Sequence, residues 1–236
     1  MLADDDFHDT VAPHHHRVDA DTWDNIYVVG DVHGCLAELE RLLERLDVSE
    51  SDLLVFVGDL VTKGPNSAGV VSRFRDHPNM LSVRGNNEQK LLDGTTAEPS
   101  LSADDFAYLE SLPLVISWDE SMAVHGGVDP RHPLAEQDAE SLLTFRSIPP
   151  ENGYAGPFWF ETYTGPPRVY FGHTVVDAPV ETEWAVGLDT GCVYGGALTA
   201  YDTDTGAFTS VPAVTEYETR ADRKWIDPAV ATEDDD

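Results

Sequence analysis

Five times along this chain a short apolar run is cut off by a polar, glycine-bearing motif. The runs are Ile26–Val29, Leu53–Val57, Met80–Val83, Met122–Val124 and Val169–Phe171. The motifs that follow them are Gly30-Asp31-Val32-His33-Gly34, Gly58-Asp59-Leu60-Val61, Gly85-Asn86-Asn87-Glu88, His125-Gly126-Gly127 and Gly172-His173-Thr174. An apolar run of this length bounded by turn residues reads as a buried strand. Polar side chains fixed at strand ends are held rigidly enough to share one ligand.

Between the first runs the period changes to that of a helix. Cys35–Leu46 places Leu36, Leu39, Leu42, Leu43 and Leu46 on one face. Asn66–Asp76, with Asn66 or Ser67 near the N-cap, Glu88–Leu92 and Ala103–Ser111 read as further helices. Leu114–Trp118 and Met122–Val124 predict a hairpin over Asp119, Glu120 and Ser121. Pro130 to Pro167 is irregular and aromatic, and reads as a cap over the substrate. Strands return at Val169–Phe171, Trp184–Leu188, Ala197–Tyr201 and Phe208–Val211. The order βαβαβ followed by strands predicts two packed sheets with helices outside the first. One domain is expected over residues 25–216, between an acidic, loose tail at 1–24 and a second acidic tail at 217–236.

The chain carries 44 acidic and 14 basic residues, a net charge of −30. The acids are spread along its whole length, which fits adaptation to a salty (halophilic) cytoplasm better than a docking face for a basic partner. Such a surface repels nucleic-acid phosphates, so no stable nucleic-acid partner is expected. No apolar run approaches a membrane span. Cys35 and Cys192 are too few for a disulfide scaffold, and the expected compartment is the cytoplasm.

Asp31 and His33 are two residues apart, so one turn can present both to a single cation. Asp59 is placed to bridge two cations through its two oxygens. Asn86, His125 and His173 offer an amide oxygen and two imidazoles to the second. Oxygen and imidazole donors suit first-row divalent ions, and a pair about 4 Å apart suits in-line displacement at phosphorus.

In this order, the motifs GDVHG, GDLVTKGP, GNNE, HGG and GHT resemble the calcineurin-like metallophosphoesterases. The resemblance is strongest to the phosphoprotein phosphatase branch that includes symmetrical diadenosine tetraphosphatases, and it extends over Ile26 to Val211. The stretch Asp189-Thr-Gly-Cys-Val-Tyr-Gly-Gly-Ala-Leu-Thr199 resembles bacterial-type members. The resemblance implies an α/β fold, a four-layer αββα sandwich of two mixed β-sheets flanked by helices. It also implies two divalent or trivalent ions, manganese first, with iron or zinc as alternatives. Asp31, His33 and Asp59 would hold one ion; Asp59, Asn86, His125 and His173 would hold the other.

Two positions depart from the family pattern. The histidine that usually protonates the leaving group is Asn87 here, and the aspartate that orients it is Thr62. Asn cannot release a proton near neutral pH. An alkoxide leaving from phosphoserine needs that proton; a leaving phosphate, with its second pKa of about 6, does not. The expected substrate is therefore a small phosphorylated molecule such as a nucleoside polyphosphate or diadenosine tetraphosphate, cleaved by hydroxide held between the ions. A serine/threonine phosphoprotein phosphatase is the alternative, and a catalytically weak metal-binding regulatory module is a second one. The family's phosphate-binding arginine is Lys63, which lacks the bidentate fork. Arg146 is the first candidate to supply a guanidinium, with Arg168 behind it. His77, His132 and His8 are candidate replacement acids, and Tyr154, Trp159, Phe160 and Tyr163 are candidates to stack on a base or to pack the cap.

Overall fold

The computed structural model describes residues 2–227. Its strands are β1 (His15–Arg17), β2 (Ile26–Val29), β3 (Leu53–Phe56), β4 (Met80–Ser82), β5 (Val115–Trp118), β6 (Ser121–Ala123), β7 (Arg168–Phe171), β8 (Val180–Glu181), β9 (Ala185–Gly187), β10 (Ala197–Asp202) and β11 (Phe208–Pro212). The helices are α1 (Leu36–Leu46), α2 (Ser67–Asp76), α3 (Asn86–Leu92), α4 (Ala103–Ser111) and α5 (Ala139–Thr144). One sheet has the order β11-β10-β2-β3-β4, and the other β1-β5-β6-β7-β9-β8. Both are mixed. β2, β3 and β4 are parallel to one another, as are β6, β7 and β9 and the pair β1 and β5, while β10 runs antiparallel to β2 and β11, β5 to β6, and β8 to β9.

Strand alternation builds the layers. In β2 and β3, Ile26, Val28, Leu53 and Val55 face the second sheet and meet Ile116, Trp118, Tyr170 and Val186 in a shared core. The intervening Val29, Leu54 and Phe56 face the opposite way, into a core with Leu39 and Leu42 of α1 and with Val70, Val71 and Phe74 of α2. In β6 and β7, Met122, Val169 and Phe171 point outward and pack under α5, Trp159 and Phe160. A strand buried on both faces must be apolar at every position, which is why these runs lack polar alternation. The result is the α/β arrangement of two mixed sheets with helices outside.

The helical expectations match to within two residues. Asn66 is the N-cap of α2, accepting from the Gly69 amide at 2.9 Å. The hairpin turns on Asp119 and Glu120 alone, since Ser121 already pairs with Trp118.

Both expected tails are corrected. Residues 2–24 are docked: β1 pairs parallel with β5, and Phe7 and Val11 are buried in the outer core of the second sheet. Residues 217–227 are docked as well, with Ile226 buried and its amide donating to the Val175 carbonyl at 3.0 Å. The rest of the expected C-terminal tail, 228–236, lies outside the described residues.

Candidate metal centre and active site

Asp31 and His33 follow β2, Asp59 follows β3, Asn86 and Asn87 open α3 after β4, His125 follows β6 and His173 follows β7. Every one of these strands ends its parallel run here, so two sheets deliver their carboxyl-end loops to one place. The backbone is strained where it turns. His33, Asp59, Thr62, Lys63 and His173 hold φ of 48°, 50°, 71°, 67° and 63°. Non-glycine residues keep such angles only where the surroundings over-determine them, and they cluster at functional sites. Two glycines let the acids come close: a Cβ at Gly85 would lie 2.2 Å from Asp59 Oδ1, and one at Gly172 would lie 2.0 Å from Asp31 Oδ1.

The six candidate ligands converge. His33 Nε2 is 3.5 Å from Asp59 Oδ2 and 4.0 Å from Asp31 Oδ2. His125 Nε2 is 3.5 Å from Asp59 Oδ1, so the two oxygens of Asp59 face two different histidines. Asn86 Oδ1 lies 2.9 Å from both His125 Nε2 and His173 Nδ1. The far nitrogens of two rings are anchored: His33 Nδ1 lies 3.2 Å from the Val61 carbonyl and His125 Nδ1 2.8 Å from that of Val57. Donating Nδ1–H there leaves each Nε2 lone pair aimed inward, the arrangement of a metal-ligating histidine.

The electrostatics agree. Burial, reinforced by Lys63, drops His33 to a pKa of about 3, and burial beside Arg146 holds His173 well below the ordinary range. Both rings are therefore neutral at pH 7 and free to ligate. Burial raises the Asp31 carboxyl, with Asp189 and Asp59 adding repulsion, and burial also raises that of Asp189. Asp59 shifts the other way despite its burial, held below the ordinary carboxylate range by the His125 and His33 rings where they carry charge, by the Lys63 ammonium and by the Asn87 amide. Three buried carboxyl groups crowded at one place repel one another, a cost that cations bound between them relieve.

Lys63 is half-buried and its ammonium donates to His33 Nε2 at 3.0 Å. Arg146 Nη2 donates to His173 Nε2 at 2.6 Å, and its guanidinium stacks over Tyr154 at 4.3 Å. Asn87 points at Asp59: its backbone amide donates to Oδ1 at 2.8 Å and its side-chain amide donates to Oδ2. Thr62 Oγ1 is buried without a partner among the described residues. All these groups except Thr62 and His125 line one cavity of about 160 Å³.

Residues 25–227 match the family described as calcineurin-like phosphoesterase. The chain belongs to that family. Similar proteins include a serine/threonine-protein phosphatase 1 of Salmonella typhimurium, 30% identical over 78% of this chain and 94% of that one. An asymmetrical bis(5'-nucleosyl)-tetraphosphatase, PrpE, of Halalkalibacterium halodurans is 31% identical over 79% of this chain and 93% of its own. A solved structure described as a "putative diadenosine tetraphosphatase" superposes with a TM-score of 0.76 at 34% identity, covering 85% of this chain and 98% of the other.

This calcineurin-like phosphoesterase is thus a phosphoester hydrolase of a family that works with a dinuclear metal centre. Its donor set fits such a pair: carboxylate, amide and neutral imidazole atoms converge, with Asp59 between the two halves. The expected replacement acids do not reach the cavity. His77 lies in a separate groove by α1 and α2, His132 pairs with Glu136 on the surface, and His8 bonds to Thr10. Arg168 is tied to Glu181 at 2.6 Å and to Tyr201 at 3.0 Å, which leaves Arg146 as the guanidinium of the two at the site. Of the four aromatics expected to pack the cap or to stack on a base, Trp159 and Phe160 are core and Tyr154 and Tyr163 pack against it; Tyr154 is the one of the four that also lines the cavity. Cys35 and Cys192 are buried free thiols beside Glu38, behind the site loops.

Sequence reasoning did not assign roles to Asp189, Tyr194, Lys90 and Arg220, which also line the cavity. Asp189 and Tyr194 lie in the glycine-rich stretch after β9 and were signalled by it. Nothing in the local sequence signals Arg220.

Proposed function

We propose that this phosphoesterase hydrolyses phosphoanhydrides of nucleoside polyphosphates, dinucleoside tetraphosphates and nucleoside triphosphates among them, in preference to phosphoserine or phosphothreonine esters. The observation that carries the reading is Asn87. Its side-chain amide is committed to Asp59 Oδ2, an amide cannot release a proton near neutral pH, and Thr62 brings no carboxylate to support an acid there. Asp31, His33, Asp59, Asn86, His125 and His173 would hold the two ions, for which manganese is our first choice and iron or zinc the alternatives. When bound, the ions acidify water and neutralise phosphate charge. Lys63 and Arg146 supply further positive charge to the developing phosphorane. His173 can offer Nδ1 to a cation only with its proton on Nε2, and that tautomer cannot accept from Arg146. Metal loading would therefore release Arg146 towards the phosphate.

The tetraphosphatase relative and the structural neighbour of the same description support this substrate class; the Salmonella phosphatase relative supports the alternative, a phosphoprotein phosphatase. The acid-rich surface supports a high-salt cytoplasm as the working environment. No helix among the described residues is long and apolar enough to cross a membrane.

The test is hydrolysis by manganese-loaded protein in molar KCl, with diadenosine tetraphosphate, ATP, a phosphoserine peptide and p-nitrophenyl phosphate compared side by side. Anhydride turnover well above phosphopeptide turnover is expected. A phosphopeptide rate equal to or above the anhydride rates moves the protein to the phosphatase reading. No turnover of p-nitrophenyl phosphate, which needs little acid, with manganese, iron, cobalt or zinc would favour a metal-binding module that has lost catalysis.

A further inference from the structure

The chain has only 14 basic residues, and four of them, Lys63, Lys90, Arg146 and Arg220, line the single small cavity at the candidate metal centre. Arg220 is the unusual one. It arrives from residues 217–227, a segment pinned beneath the site by Tyr217 N donating to the Val193 carbonyl and Ile226 N to that of Val175, each at 3.0 Å. The Trp225 ring fills the space that a side chain at Gly191 would occupy. Arg220 Nε donates to the Lys224 carbonyl at 3.2 Å, which fixes the plane of the guanidinium. The group then lies between two rings, 4.8 Å from the Tyr194 centroid and 5.6 Å from that of Tyr154. Its Nη2 is buried and has no hydrogen-bond partner among the described residues. Asp189 is near enough to feel its charge, yet no ion pair joins the two.

A guanidinium has five donors and no acceptor, and a buried donor left unmade costs free energy that an anion would restore. Lys63 and Arg146 each contact a candidate ligand histidine, so they address the phosphate that the ions hold. Among the described residues Arg220 makes no hydrogen bond or ion pair with any of the six ligands, and it lies over the same Tyr194 ring as the Lys63 ammonium, at 4.8 Å against 5.4 Å. A monoester dianion brings about two negative charges, which two divalent ions with Lys63 and Arg146 match once the three carboxylates and the attacking hydroxide are counted. A phosphate chain brings the additional charge that Arg220 and Lys90 can meet. Beyond Lys90, Arg146 and Tyr154 a larger groove of about 730 Å³ opens along α3 and α5, with room for what the chain is attached to.

We propose that Arg220 binds a second phosphate, adjacent to the one under attack, and so selects polyphosphate chains over monoesters. This rests on the nucleoside polyphosphate reading of the same site. Arg220 is thus a specificity residue.

The test is calorimetric binding of β,γ-methylene-ATP and of AMP to the full-length, manganese-saturated protein, for the unaltered chain, Arg220→Gln and Arg220→Lys. The two ligands share a nucleoside and differ in the phosphate chain. Arg220→Gln should weaken the ATP analogue about tenfold more than AMP, and Arg220→Lys, which keeps charge without the fork, should fall between. An unchanged ratio of the two affinities overturns the proposal, as does a larger loss for AMP, which would put Arg220 on the attacked phosphate. If Arg220→Gln does not fold, the Arg220→Lys ratio decides by the same criterion. Affinity and turnover are separate readouts, so a protein that binds the analogue through Arg220 but cleaves no anhydride would sink the substrate reading and keep this one.

Discussion

Asn87 is a residue whose meaning depends on what it touches. In the sequence it marks the loss of a proton donor; in the fold it acquires a second task, since its two amide groups reach both oxygens of Asp59. Replacing it with histidine restores a proton donor but removes an amide from the carboxylate expected to bridge the ions. Asn87→His should raise kcat/KM for a phosphoserine peptide about tenfold or more, while anhydride hydrolysis rises less or falls. Equal changes for both substrates, measured on protein of matched metal content, would disconnect Asn87 from leaving-group chemistry. The candidate ligands were legible in the sequence because each ends an apolar strand, so spacing and order alone bring them together. Arg220 was not. It sits in a stretch of mixed charge without periodicity, and only the docking of residues 217–227 carries it to the site.

At the level of elements, the sequence spoke clearly where period and burial coincide. Leu39 and Leu42 on α1, and the two-faced burial of β2 and β3, follow from the residue pattern. β1 did not, because His15, His16 and Arg17 offer no apolar alternation; its place comes from pairing with β5 and from Phe7 and Val11 packing nearby. β8 has two residues and no signal of its own. The docked N-terminal segment has a measurable consequence. Phe7, 5% exposed, packs with its ring centroid 4.6 Å from that of His15, the planes tilted by 54°. Phe7→Ala should lower unfolding free energy by about 3 kcal/mol in a urea melt, whereas a change within experimental error would mean that this segment does not contribute to the folded core.

Across the whole molecule, two sheets were legible from the order of elements, but the return of β10 and β11 to the first sheet was not, because strand order says nothing about which sheet a late hairpin joins. The charge distribution is a property of the same scale. With −30 overall and four of the 14 cations gathered at one cavity, the remaining surface is more acidic still. Self-repulsion of that surface is screened within about 10 Å at 0.1 M salt and about 3 Å at 1 M. The melting temperature should therefore rise by several degrees between these ionic strengths in KCl; a flat or falling curve would remove the case for a salt-adapted surface.

The central claim is that this phosphoesterase cleaves bonds whose leaving group needs no proton. The direct measurement is kcat/KM of the manganese-loaded protein across a series of aryl phosphates differing only in leaving-group pKa. The account predicts a steep fall in rate as that pKa rises, because nothing at Asn87 protonates the departing oxygen. A rate nearly independent of leaving-group pKa, with chemistry shown to be rate-limiting, would reveal an effective acid in the site and contradict it.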